Sequence, residues 1–302
     1  MSAALVELSN VTGISLEGLP EQHVALVKDD KGKLLAKETI VKYTNSQAYV
    51  TLQEVDASVA GKNISVEKDD GLHLKLVTIE PEVVNRRLLP IAQQFHSLPE
   101  ARHAEVHLAD VLAVHSLGRF NLELKKNVTI DSFKLFDSWR DDAGFIVTDR
   151  NIFDQNTYNV ATLLPTLAAS DITIAAYTVD DLDGVADFDN SVCGFSRDAF
   201  LELLTEKSTV FVAKSGAIDG FIAGNGSKVH ALYAETMELA HALLKTYIQK
   251  NNLKEVTFFT RRGVFEAKPT SSRQVHRRHT RVVPSSIKWA KVYAINIGVH
   301  IV

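Results

Sequence analysis

Asp189, Gly194 and Arg197 fall within fourteen residues, Asp187 to Phe200 (DFDNSVCGFSRDAF), just ahead of a stretch, Asp198 to Leu204, that reads as a helix. A carboxylate and a guanidinium on either side of a glycine turn suit two kinds of work. They hold a polar ligand, or they pair with nearby charges and brace the turn. Asp180, Asp181, Asp183 and Asp187 make the approach to this stretch acidic, which draws an amine or, more simply, caps helices in a solvated loop. Cys193 has no CxxC partner and only Arg197 as a near cation, the setting of a buried structural thiol. Arg261 to Arg281 (RRGVFEAKPTSSRQVHRRHTR) has Glu266 as its only acid. Such a run suits a phosphorylated or nucleic-acid ligand, but Phe265 alone is available for stacking. Pro269 and Ser271-Ser272 make it read as a solvated, mobile loop. His103 and His107 are four apart (HAEVH), without the glutamate directly after the first histidine that a zinc-protease helix requires, so no metal site is expected.

The elements that must position these residues repeat one pattern. In the second half Asp171 to Thr178 reads as a buried strand. Thr209 to Lys214, Ile218 to Ala223 and Lys228 to Tyr233 are further strands, with a turn at Ser215-Gly216. Thr236 to Gln249 has Met237, Ala240, Leu244 and Tyr247 on one helical face, and Glu255 to Phe259 is a strand. In the first half the strands are Val24 to Val27, Leu34 to Tyr43, Gln47 to Val55 and Leu72 to Ile79. Helices follow at Leu88 to Ser97 and Leu108 to Leu117, around a strand at His103 to Val106. Late strands close each half, at Asn121 to Thr129 and Val292 to Val302. Between the halves, Val160, Leu163, Leu164 and Leu167 predict a helix over Asn156 to Leu167, interrupted by Pro165. Strands, helix and strand twice over predict an α/β fold with a weak internal duplication.

The chain has 302 residues, room for two domains. Its formal net charge of -4 argues against nucleic-acid binding by the surface as a whole. One cysteine excludes an internal disulfide. The start, MSAALVELSN, has no basic segment followed by a long apolar one, and no stretch approaches the length of a membrane span, so a cytoplasmic protein without a membrane association is expected.

The order of elements around Asp189, Gly194 and Arg197 resembles the GNAT N-acyltransferase fold. The stretch itself is similar to the opening of the C-terminal domain in tandem-GNAT proteins of the YitH-like group. Tyr233-Ala234-Glu235 matches the end of that group's Gly-Pro-Leu-Tyr-Ala-Asp type motif. Thr280-Arg281 matches the start of its Thr-Arg-Met-Tyr type motif, whose second half is replaced by Val282 and Val283. The resemblance implies an α/β protein of tandem GNAT-like domains, each a mixed, mostly antiparallel twisted sheet flanked by helices. The domains would span 1–145 and 171–302, with 146–170 as a connection. It implies acetyl-CoA as cofactor and acetyl transfer to a primary amine on a small molecule or peptide. It puts backbone contacts to the acyl group on Val77, Thr78 and Ile79. The pyrophosphate would rest on the turn Glu80 to Leu89 (EPEVVNRRLL), with Asn85, Arg86, Arg87 and Leu88 as cofactor residues. This turn is eroded: Asn85, Arg87 and Leu89 stand where the family has glycine, leaving Arg86 and Arg87 to supply charge. Val114 stands where the family has its proton-donating tyrosine, which makes the adjacent His115 the catalytic candidate. In the second half the resemblance implies a catalytic role for Tyr233 and substrate contacts from Asp189, Arg197, Tyr233 and Glu235. A reading from another class stands beside it: a non-catalytic GNAT-like protein that binds a ligand or partner between its halves. An open sheet edge at Val292 to Val302 would let a homodimer form by strand addition.

Overall fold

The computed structural model describes residues 4–10, 22–28, 31–42, 47–50, 56, 63–69, 73–78, 102–103, 127–133, 135, 137–141, 144–168 and 170–297. In the first half β1 (Ala4–Asn10), β2 (Gln22–Lys28), β3 (Leu34–Lys42) and β4 (Gln47–Val50) pair antiparallel in chain order. β5 (Asn63–Asp69) and β6 (His73–Thr78) form a hairpin, and β6 also pairs antiparallel with β1. β7 (Arg102–His103) pairs with β5. β8 (Asn127–Ser132) returns parallel to β4, from Gln47↔Asn127 to Val50↔Ile130. A parallel pair needs a long crossover, and here the two strands are far apart in sequence.

A short helix, α1 (Ser138–Asp141), and β9 (Val147–Thr148) lead to the second half. Its elements are β10 (Phe153–Asn159), α2 (Val160–Leu163), β11 (Thr173–Ala176), α3 (Leu182–Cys193) and α4 (Asp198–Lys207). Then come β12 (Thr209–Lys214), β13 (Ile218–Asn225), β14 (Lys228–Ala234), α5 (Met237–Lys250) and β15 (Glu255–Arg261). β16 (Ser271–His279) and β17 (Val292–Ala294) complete it. β11 to β14 are antiparallel neighbours, β15 runs parallel to β14, and β10 lies antiparallel between β15 and β16.

The apolar runs of β12, β13 and β14 are buried on both faces, because helices cover both sides. Phe221, Ala231 and Tyr233 face a core shared with α3 and α4, while Ile222, Leu232 and Ala234 face α5. The α5 stripe is Leu239, Leu243, Leu244, Tyr247 and Ile248, and Thr236 caps the helix by accepting from the Leu239 N–H at 3.3 Å.

Three expectations are corrected here. The apolar spacing over Asn156 to Leu167 is helical only at Val160–Leu163 and in the single 3-10 turn Leu164–Thr166 that holds Pro165. The residues before it are β10, because both edges of that segment find ladder partners in β15 and β16. Asp187 to Cys193 belong to α3, which extends back to Leu182 and ends at Gly194 with φ 79. Ser271–His279 is a strand with alternate residues buried, not a solvated loop. It pairs with β10 through Ser271–Val275 and with β8 and β9 through His276–His279, so one strand joins both sheets.

Candidate functional site

Tyr233 alternates inward on β14, toward the turn between α3 and α4. Gly194 adopts the left-handed conformation there, and a Cβ at this position would meet the Ser286 side chain at 2.5 Å. The reversal brings Arg197, at the start of α4, back onto Asp189 of α3. Arg197 Nε and Nη2 donate to the two Asp189 oxygens at 2.7 and 2.6 Å, and Nη2 also donates to the Tyr233 hydroxyl at 2.8 Å. The side chains of the ion pair are 1% and 0% exposed. Burial opposes the Arg197 charge, but Asp189 outweighs it and holds the guanidinium well above its usual range. Burial also raises the Tyr233 phenol well above its usual range, against the opposing pull of Arg197. Cys193, beneath the pair, is pushed up to about 12 by burial and is a packed thiol at neutral pH.

On the other side of Tyr233 lies the opening between two parallel strands. β14 and β15 pair at Lys228↔Thr257 and then separate. β17 fills the wedge: Leu232↔Ala294 and Tyr233↔Val292 on the β14 side, and Phe259↔Ile295 on the β15 side, where the Ile295 N–H donates to the Phe259 carbonyl at 3.0 Å. Val292, Tyr293, Ala294 and Ile295 are all buried. The edge expected to be open at Val292–Ala294 is therefore internal. The turn from β14 into α5 consists of Glu235 and Thr236 alone, and Lys291 next to the wedge donates to Glu235 at 2.5 Å.

A second buried network sits where β16 crosses into the first sheet. Arg277 Nε and Nη2 donate to Asp131 on β8 at 2.9 and 2.7 Å, and Tyr49 on β4 donates to Asp131 at 2.9 Å. Arg277 also lies over the Phe153 ring at 4.5 Å. Beside it His279 contacts Thr129 at 2.7 Å and Asp149 at 3.0 Å. Burial works against the Asp149 charge, but the His279 hydrogen bond and the Arg277 charge hold it below the usual carboxylate range. Hydroxyl, imidazole and carboxylate in that order resemble a nucleophile triad. Thr129 and His279 are fully buried on paired strands, however, so this cluster joins the halves.

Two of the hollows among the described residues matter here. One, of about 490 Å³, lies between α3 and α4 and is lined by Asp183, Asp187, Asp198 and Glu202. Asp183 and Asp198 stand in the first turns of their helices, where the helix dipole favours them. The other, of about 210 Å³, lies beneath residues 262–269, against β10. Among the described residues no group of three His, Cys, Asp or Glu is placed to hold a metal ion, and no helix is long and apolar enough to cross a membrane.

Of the residues singled out in the sequence, Asp189, Arg197 and Tyr233 come together, with Glu235 two residues beyond. Val77 and Thr78 lie on β6, antiparallel to β5. Among the described residues the parallel pair of the first half is β4 with β8. Ile79, Asn85, Arg86, Arg87, Leu88 and His115 lie outside the described residues. Sequence reasoning missed the Tyr49–Asp131–Arg277 joint. Its one signal was the alternation of Val275, Arg277 and His279, a period of two inside a basic run.

A family model described as "Domain of unknown function (DUF7596)" matches residues 6–147. No curated protein matches the chain. Among solved structures the chain is similar to a putative acetyltransferase from Pyrococcus horikoshii, with a TM-score of 0.52 and 13% identity, over 90% of this chain and 78% of that one. It is also similar to a GCN5-related N-acetyltransferase from Sphaerobacter thermophilus, with a TM-score of 0.47 and 13% identity, over 88% and 83%. A tandem GNAT protein from the clavulanic acid biosynthesis pathway follows, with a TM-score of 0.44 and 10% identity, over 88% and 86%. The chain thus has the fold of the GNAT acetyltransferases: a mixed, largely antiparallel sheet flanked by helices.

Proposed function

We propose that this chain is a GNAT-like N-acyltransferase whose two halves have divided the work. The N-terminal half takes acetyl-CoA and passes its acetyl group to a primary amine. The C-terminal half is catalytically silent and holds its neighbour in place through β16. The observation that carries the division is the strand β17 in the wedge between β14 and β15. Where a chain segment already satisfies the strand edges, an extended cofactor arm has no backbone groups left to pair with. The assignment of the chemistry itself rests on the fold by analogy and on Arg86 and Arg87, whose charge the family resemblance puts beside the pyrophosphate.

A second reading, a wholly non-catalytic ligand- or partner-binding protein, is favoured by the enclosure of Arg197, Asp189 and Tyr233. Isothermal titration of acetyl-CoA into the whole protein separates the two. The transferase reading expects one acetyl-CoA per chain, weakened about tenfold or more by Arg86→Ala/Arg87→Ala, followed by acetylation of a primary amine in a substrate screen. Absence of binding leaves the non-catalytic reading. Two sites per chain, or one site indifferent to the double change, contradicts the division of labour.

A further inference from the structure

The hollow beneath residues 262–269 contains a polar group with nothing to bind. Asp154, Asn156 and Tyr158 alternate onto one face of β10, and the chain after β15 passes over them, turning at Gly263 with φ 82. Asn156 is 7% exposed. Its Nδ2 donates to the Tyr158 hydroxyl at 3.1 Å, while its Oδ1 is buried without a partner. A buried carbonyl left unpaired loses its hydration with nothing in return, so a site that keeps one invites a donor. Asp154 is 5% exposed and its charge is already met by Arg262, at 2.8 and 2.7 Å, which makes the floor of the hollow polar and electrically balanced. Tyr158 and Phe265, with ring centroids 6.1 Å apart, give it an apolar wall.

We infer that this hollow binds a small uncharged amide. The amide N–H donates to Asn156, and its short alkyl body lies against Tyr158 and Phe265. A side-chain amide offers an acceptor and a donor, and a ligand amide is the class that complements both. A net charge on the ligand is disfavoured, because the Asp154–Arg262 pair leaves no uncompensated charge at the floor. The volume of about 210 Å³ is several times the roughly 30 Å³ of a liquid water, enough for such a molecule but not for a nucleotide.

The test uses the full chain with N-methylacetamide, and with methylammonium and acetate as charged probes, read by ligand-observed NMR and by the thermal midpoint. N-methylacetamide is expected to bind at about 10 mM and to raise the midpoint, because a ligand that binds only the folded state stabilises it. Asn156→Leu is expected to abolish both signals. Val264→Trp, which fills the hollow from the loop and leaves Asn156 itself unaltered, is expected to do the same and guards against a folding defect in the first variant. Absence of binding to the native chain overturns the inference, as does binding that survives both substitutions. Preference for methylammonium or acetate over the amide overturns the ligand class.

Discussion

Arg197 is held by both oxygens of Asp189 and by Tyr233, with Phe200 under its plane at 4.9 Å. Neither member of the ion pair reaches solvent, so removing one strands the other's charge. Asp189→Asn or Arg197→Leu is expected to cost about 3–5 kcal/mol in urea unfolding. Arg197→Lys is expected not to rescue, since an ammonium cannot make the two-pronged contact. A loss below about 1 kcal/mol for these changes would contradict the bracing role. The turn that brings the pair together is equally demanding: Gly194→Ala forces a side chain into φ 79 and against Ser286. It is expected to cost more than about 1 kcal/mol in the same assay. The spacing of Asp189, Gly194 and Arg197 was enough to mark this corner from the sequence. What spacing could not supply was the direction in which the pair faces. That depends on Tyr233, more than thirty residues away, closing over it from β14.

At the scale of elements, β12, β13 and β14 were legible because each is a short apolar run between turn residues, and Thr209–Lys214 falls where the pattern puts it. The segment over Asn156 to Leu167 was misread because its helical spacing came from four apolar residues, while its first residues owe their structure to ladder partners about a hundred positions away. β16 was hidden for a related reason. Its charges are those of a solvated loop until Asp131 and the Phe153 ring take up Arg277. Within this layer His230 on β14 and His241 on α5 both resist protonation. Burial comes first in each case, and a nearby lysine adds to it at His230. His241 Nδ1 accepts the Ala168 N–H at 3.0 Å, a bond that a proton on that nitrogen would remove. Their folded values lie below the ordinary 6.5, so the unfolded chain binds protons first as pH falls through that value. Stability is therefore expected to drop between about pH 7.5 and pH 5.5, and His241→Gln is expected to flatten the slope. A thermal midpoint that is level or rises on acidification would contradict this.

Across the whole molecule, the joint between halves is made of strand pairing and buried charge together. β16 belongs to both sheets, and Tyr49 of the first half packs in the same core as Phe153, Tyr233 and Val292 of the second. The chain is expected to unfold in a single calorimetric transition. Arg277→Leu, which leaves the buried Asp131 carboxylate without the Arg277 counter-charge, is expected to lower that transition or split it in two. Two well-separated transitions in the unaltered protein would contradict a shared core.

The claim that the second half keeps its strand wedge for its own chain is most directly tested by hydrogen–deuterium exchange on the full protein, with and without saturating acetyl-CoA. The account predicts that peptides covering 228–236 and 291–297 exchange slowly and alike in both conditions, while peptides covering 80–90 become protected when acetyl-CoA is present. New protection or loosening at 228–236 and 291–297, with 80–90 unchanged, would put the cofactor in the wedge and contradict the account.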